Sequence, residues 1–245
     1  MSLKKRVQLE FHLERTEKKG ILITGFTIAL VVFMFAWRTT DYSFLTGTVA
    51  FLALVAMSMI SLFLFVSGAK VFGLYRGYSV HYNSWTNGLL VGFVVSFISY
   101  GLLPIIFPGH MEIKAIERLR HGKAYFGENK KDMFLILASA PLTALIVSFL
   151  FFYLVLFTGM GVFYYGVVIN ALIAFFSLLP FTKNIGATMF FARRTEYFAL
   201  VGITAFYFII IISQSIFPLL FILLAALIYW VVIAIKKKRS NLMQP

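Results

Sequence analysis

The chain has no cysteine. Disulfides, thiolate metal sites and cysteine nucleophiles are therefore excluded. Charge is also scarce: 13% of the 245 residues are charged, against roughly 25% in soluble domains. Acidic residues are the rarer sign, nine against 22 Lys and Arg. None of the nine falls inside a long apolar run. Ion-coupled transport relies on ionisable groups at membrane depth, so a transporter or channel is a minor alternative. The four histidines, His12, His81, His110 and His121, also lie outside those runs. No repeat of fixed period and no inverted pair of interrupted segments is visible. What fills the chain instead is hydrophobic residues, 61% of the total, with a mean hydropathy of +0.91. Membrane-length apolar runs recur, which predicts an all-α polytopic membrane protein. In so apolar a chain, the net charge of +13 reads first as the positive-inside bias.

The runs predict six transmembrane helices over 21–37, 44–74, 133–157, 160–180, 197–213 and 217–235. They form one integral membrane domain, 21–235, between basic tails at 1–20 and 236–245. In the first tail Val7, Leu9, Phe11 and Leu13 alternate with polar residues, a strand-like period of two. Run 21–37 ends in Trp37 and Arg38 with no small-residue cleavage site, so it reads as a retained span. Run 44–74 exceeds the ~20 residues a bilayer needs, so it tilts or protrudes. Its second half carries Ser58, Ser61, Ser67, Gly68 and Gly73, residues that let membrane helices pack closely. Lys70 sits at its end and is expected to snorkel to the interface. Segment 75–85 is aromatic and interfacial. Segment 86–107 holds Gly88, Gly92, Gly101 and Pro104, and reads as a re-entrant, broken helix. Loop 109–132 predicts two short strands or a hairpin, a small β element at the membrane surface. Pro141 is expected to interrupt the span around it. Pro180, followed by Thr182, Lys183 and Asn184, makes an elbow at the end of a span. Such an elbow frees backbone groups that protein or a watery cavity must satisfy.

Charge selects the topology. If 86–107 crossed fully, the basic loop 109–132 would lie outside. If it dips and returns, all but one of the 22 Lys and Arg lie inside, Arg38 being the exception. The positive-inside rule therefore favours six spans, one re-entrant segment and both termini cytoplasmic, in the plasma membrane. The end of the second span, the re-entrant segment and the Pro180 break then converge near the cytoplasmic face, which makes a candidate site.

These residues resemble the site-2 protease family of intramembrane zinc metallopeptidases, its archaeal and bacterial members in particular. Tyr75-Arg76-Gly77 is similar to the turn after that family's metal helix. Trp85 to Gly88 and Phe107-Pro108-Gly109 are similar to the two ends of its re-entrant region. The stretch A-S-A-P-L-T around Pro141 is similar to its A-G-P-L-T pattern. N-A-L-I-A-F-F-S-L-L-P, from Asn170 to Pro180, is similar to its last core motif, with Ser177 in place of a second asparagine. The resemblance implies HExxH at 65–69 and a metal-binding aspartate before Gly186. Here those positions hold Phe65, Val66, Ala69 and Ile185. Zinc is the family's cofactor, but these side chains supply neither ligand nor general base. No cofactor is expected.

The resemblance thus implies a pseudoprotease, one that holds transmembrane clients in membrane-protein assembly or quality control. Its candidate client groove comprises Pro141, Asn170, Ser177, Pro180, Thr182, Asn184 and Gly186, accepting an extended segment by strand addition. The same polar residues would equally serve helix–helix hydrogen bonds. A second reading is an active metalloprotease with a displaced site at His81, His110 and Glu112, a set chemically able to hold zinc. The basic tail and loop predict an anionic inner leaflet as partner. Such charge does not discriminate against a ribosome or other nucleic acid.

Overall fold

The computed structural model describes residues 11–39, 43–116 and 129–213. Among these residues, seven helices and two strands run in the order α1 (Arg15–Thr39), α2 (Phe44–Arg76), β1 (Tyr78–Asn83), α3 (Thr86–Ile98), β2 (His110–Ala115), α4 (Lys130–Thr158), α5 (Val162–Ser177), α6 (Ile185–Ala192) and α7 (Arg194–Ser213). Among the described residues, four helices are long and apolar enough to cross a membrane: α1, α2, α4 and α7. The fourth expected span, 160–180, forms the shorter α5, 16 residues long. The sixth, 217–235, lies outside the described residues, as do most of the N-terminal strand candidate, the middle of loop 109–132 and the last tail.

Local chemistry sets the helix ends. Ser43 caps α2 by accepting the Thr46 N–H, and Gly77 ends it in the left-handed conformation at φ 83°. Asn129 caps α4 through the Lys131 N–H, and Gly159 ends it at φ 66°. These are the residue types that satisfy orphan donors or turn left-handed without a Cβ clash. Pro141 lies inside α4 without ending it, so the expected interruption is absent: the proline removes a donor, but packing holds the helix together.

The centre of the bundle is α2, whose small residues meet three neighbours. Ser58 Oγ donates to Gly25 O of α1 at 2.7 Å. Ser61 Oγ accepts from Asn170 Nδ2 of α5 at 2.8 Å. A Cβ on Gly68 would lie 2.1 Å from Thr143 Oγ1 of α4, so glycine is what permits that approach. Helices in lipid gain little from apolar burial against each other, so close packing and such hydrogen bonds hold the bundle. The core runs through all these helices as one cluster.

The strands form an antiparallel pair in the register Tyr78↔Ala115 to Asn83↔His110. Tyr78, Val80, Tyr82, Met111 and Ile113 point into the core. Ser79, His81, Asn83, His110, Glu112 and Lys114 share the other face, as the period of two dictates. A two-stranded sheet is marginal alone; this one rests on α2 and α1. The chain between the strands leaves beside His110 and returns to it, because Asn83 and His110 are paired. Within that excursion α3 has 13 residues, about 20 Å of helix. The chain then turns at Tyr100 (φ 51°) and Gly101 (φ 74°). It comes back extended against α3. Ser96 Oγ accepts from Ile105 N at 3.2 Å, and a Cβ on Gly92 would meet Ile105 O at 2.5 Å.

Candidate functional site

The elbow after α5 is closed by its own residues. Breaking the helix leaves the carbonyls of Phe176, Leu178 and Leu179 without their helical donors, and tight turns repay part of this: Leu179 N donates to Phe176 O at 3.3 Å and Phe181 N to Leu179 O at 2.8 Å. Asn184 Nδ2 donates to Phe176 O at 2.6 Å and Leu179 O at 3.1 Å. Its Oδ1 accepts from Ile185 N at 3.2 Å, capping α6. Tyr197 Oη donates to Leu178 O at 2.7 Å. Gly186 lies so close that a Cβ would sit 2.0 Å from Leu178 O. Protein groups, rather than a watery cavity, therefore satisfy the freed backbone. Ser177 Oγ donates to Ala174 O at 2.9 Å. Asn170 Nδ2 donates to Gly166 O as well as to Ser61. Of the seven groove candidates, Pro141, Asn170, Ser177, Asn184 and Gly186 are buried, while Pro180 and Thr182 are exposed beside Phe181 and Lys183. Three of the four polar groups expected to face a client, those of Asn170, Ser177 and Asn184, face the chain itself. The outward surface of the elbow is Pro180 to Lys183.

The positions that the resemblance assigns to metal and base are buried. Phe65, Val66 and Ala69 are fully buried and Ile185 is 1% exposed, all in the common core. The other candidate set does come together on one face of the sheet. His81 stands opposite Glu112, and His110 Nε2 is 3.8 Å from Glu112 Oε1. His81 Nδ1, however, pairs with Glu14 Oε1 at 3.2 Å. Glu112 also accepts from Asn83 Nδ2 at 2.9 Å. Among the described residues no group of three or more His, Asp or Glu is placed to hold a metal ion.

The most specific polar cluster is one the sequence did not announce. Lys70 does not snorkel. It is 5% exposed and its Nζ lies 2.7 Å from Glu17 Oε2, itself 1% exposed. Lys70 also donates to His12 O at 3.1 Å. Glu17 accepts further from Tyr82 N at 2.8 Å and Glu14 N at 2.9 Å. The Glu14 contact is half of a capping box, with the residue at N3 reaching back to the cap N–H. The helix accordingly starts at Arg15, inside the segment read as tail. The same turn of α1 carries Gly20, where a Cβ would meet Ser84 and the Tyr82 ring at 3.2 and 3.4 Å. Tyr82 Oη, in turn, donates to Pro108 O and lies 3.0 Å from Thr24 Oγ1. Burial pushes the Tyr82 phenol well above its ordinary range, with the Thr24 contact opposing.

The expected convergence of elements is present. Phe107, at the end of the excursion, packs on Trp85 at its start, with ring centroids 5.5 Å apart. It also meets Phe181 of the elbow at 5.1 Å. Gly109, at φ 108°, brings the returning chain against Asn83, where a Cβ would lie 2.4 Å from the carbonyl oxygen. Lys70, near the end of α2, reaches the same sheet through Glu17. The arrangement offers a braced sheet beside an exposed elbow. Comparison with protein-family models, with curated proteins and with solved structures found no match to the chain.

Proposed function

We propose that this chain is a site-2-protease-like membrane scaffold without zinc chemistry, which holds a membrane-embedded client. One observation carries the reading: the four positions that would hold metal and base are buried apolar side chains of a single core. None of them can ligate zinc or move a proton. The paired ends of the 84–109 excursion and its short helix support reading it as re-entrant, since ~20 residues of helix are needed to span a bilayer. The basic sheet side then faces the cytoplasm and its anionic leaflet.

The client surface on this reading is the sheet edge and the elbow beside it. Among the described residues β2 pairs only with β1. On the far side of β1, Glu17 occupies the Tyr82 N–H. The outer edge of β2 is thus the edge that offers main-chain groups to an extended segment.

In-cell photocrosslinking tests this. A photoreactive residue at Glu112, Thr182 or Lys183 is expected to capture a discrete polypeptide, identified by mass spectrometry. Placed at the buried Ser177 or Ile185, it should capture none. Lipid adducts alone from all three exposed positions would overturn the proposal.

A further inference from the structure

The surface between α1 and α3 holds a cavity of about 860 Å³. Leu30, Phe33 and Met34 of α1 line one wall, and Phe97 and Ile98 of α3 line the other. A smaller cavity of about 250 Å³ continues it from Leu30 toward Thr86. The groove exists because the two walls differ in length. The tip of the α3 hairpin leans on α1 at Met34, where a Cβ on Gly101 would lie 2.6 Å from the backbone. Beyond that point α1 continues uncovered, and Trp37 and Arg38 stand at the groove mouth with Tyr100.

Tyr100 is the second observation. Among the described residues it is the one non-glycine residue at positive φ, 51°. That conformation closes α3: Tyr100 N donates to Phe97 O at 3.0 Å and Gly101 N to Ser96 O at 2.8 Å, the paired bonds of a left-handed helix cap. The cap turns the Tyr100 side chain out, 86% exposed, at the groove mouth.

We propose that this groove is a phospholipid site, with an acyl chain along its length and the phosphate on Arg38. The lining is apolar, the mouth is cationic, and a guanidinium holds a phosphate through paired, charge-assisted hydrogen bonds. Trp37 and Tyr100 are the aromatic types that sit at headgroup depth. The bulky floor of Leu30, Phe33 and Phe97 suits a flexible chain. A partner helix would want small residues there. The site stands independently of the client reading.

The test is native mass spectrometry of the full-length protein, released from mild detergent supplied with phosphatidylglycerol or with diacylglycerol of the same chains. The wild type is expected to retain phosphatidylglycerol and not diacylglycerol. Arg38→Gln should lower retention about tenfold, one charge-assisted contact's worth. Lys19→Gln, at the other end of α1, should leave it unchanged. Leu30→Trp fills the groove and should abolish it. Equal retention in Arg38→Gln, equal retention of diacylglycerol, or a polypeptide or second copy bound in place of lipid would each overturn the site.

Discussion

The buried ion pair between Lys70 and Glu17 gives the sharpest stability test. Lys70 joins α2 to Glu17 of α1, and Glu17 in turn holds the Tyr82 N–H of β1. Removing one partner of such a pair leaves an uncompensated buried charge, which costs about 3–5 kcal/mol. The two directions are unequal. In Lys70→Met, Glu17 keeps two backbone donors, Tyr82 N and Glu14 N. In Glu17→Ala, those two donors lose their acceptor and the ammonium keeps only the His12 carbonyl among the contacts it makes here. Glu17→Ala therefore belongs at the upper end of the range and Lys70→Met at the lower. For a chain of this size ~1 kcal/mol moves Tm by about 2–4 °C. The expected losses are thus about 6–20 °C. The double variant should lose less than the sum, because the second change removes an already stranded group. Fluorescence-monitored thermal unfolding in detergent measures all three. If Glu17→Ala fails to accumulate, Lys70→Met alone decides. A Tm within about 2 °C of wild type is what a snorkelling surface lysine would give, and it would refute the buried lock.

Tyr82 predicts an alkaline weakness. Its phenol pKa is raised above the ordinary 10.0 by burial, so the protonated phenol's contribution is complete below that value and is lost as pH rises through the folded pKa. Tyr82→Phe should cost about 1–3 kcal/mol at neutral pH, because the Pro108 carbonyl loses its donor, but should show a shallower loss of Tm in alkali. Equal slopes in the two proteins would contradict this. Asn184→Ala should cost about 0.5–2 kcal/mol through its lost cap, since the Phe176 and Leu179 carbonyls each keep a backbone donor. Asn184→Asp keeps the cap acceptor but turns a carboxylate toward those carbonyls, so it should recover none of the loss; full recovery would show that the cap alone matters.

Apolar length was the most legible feature of the sequence. Runs 44–74 and 133–157 correspond to Phe44–Arg76 and Lys130–Thr158, because a bilayer-length run has few alternatives. The start of α1 was missed because hydropathy treats a charged first turn as tail. Its partner, Lys70, is 53 residues away from Glu17, and no local pattern reports such a pair. Segment 75–85 read as interfacial, yet six of its residues form β1. Tyr78, Val80 and Tyr82 do alternate, but the segment's aromatic polarity masked that period, and the partner strand lies beyond a long excursion. The halt of α5 at Ser177 rather than at Pro180 follows from the bias against helix just before proline and from the Asn184 brace.

The polar residues of the elbow carry the more general lesson. Asn170, Ser177 and Asn184 were identifiable as special because polar groups at membrane depth must be satisfied. That requirement does not say by what. A ligand and a backbone carbonyl call for the same donors, and here the carbonyls take them. The core positions follow the same logic with the opposite chemistry. A carboxylate at 185 without a metal would be a buried unpaired charge, costing several kcal/mol. Ile185 contributes apolar burial instead, as do Phe65, Val66 and Ala69. On the proposed reading such a core supplies stability and no metal chemistry, so recognition belongs to the surface. The residues that remain outward are Pro180 to Lys183, the polar face and outer edge of the sheet, and the Arg38 end of the α1–α3 groove. A ligand search aimed at positions 65, 69 and 185 would probe packing; one aimed at 112, 182 and 38 would test the two proposed surfaces.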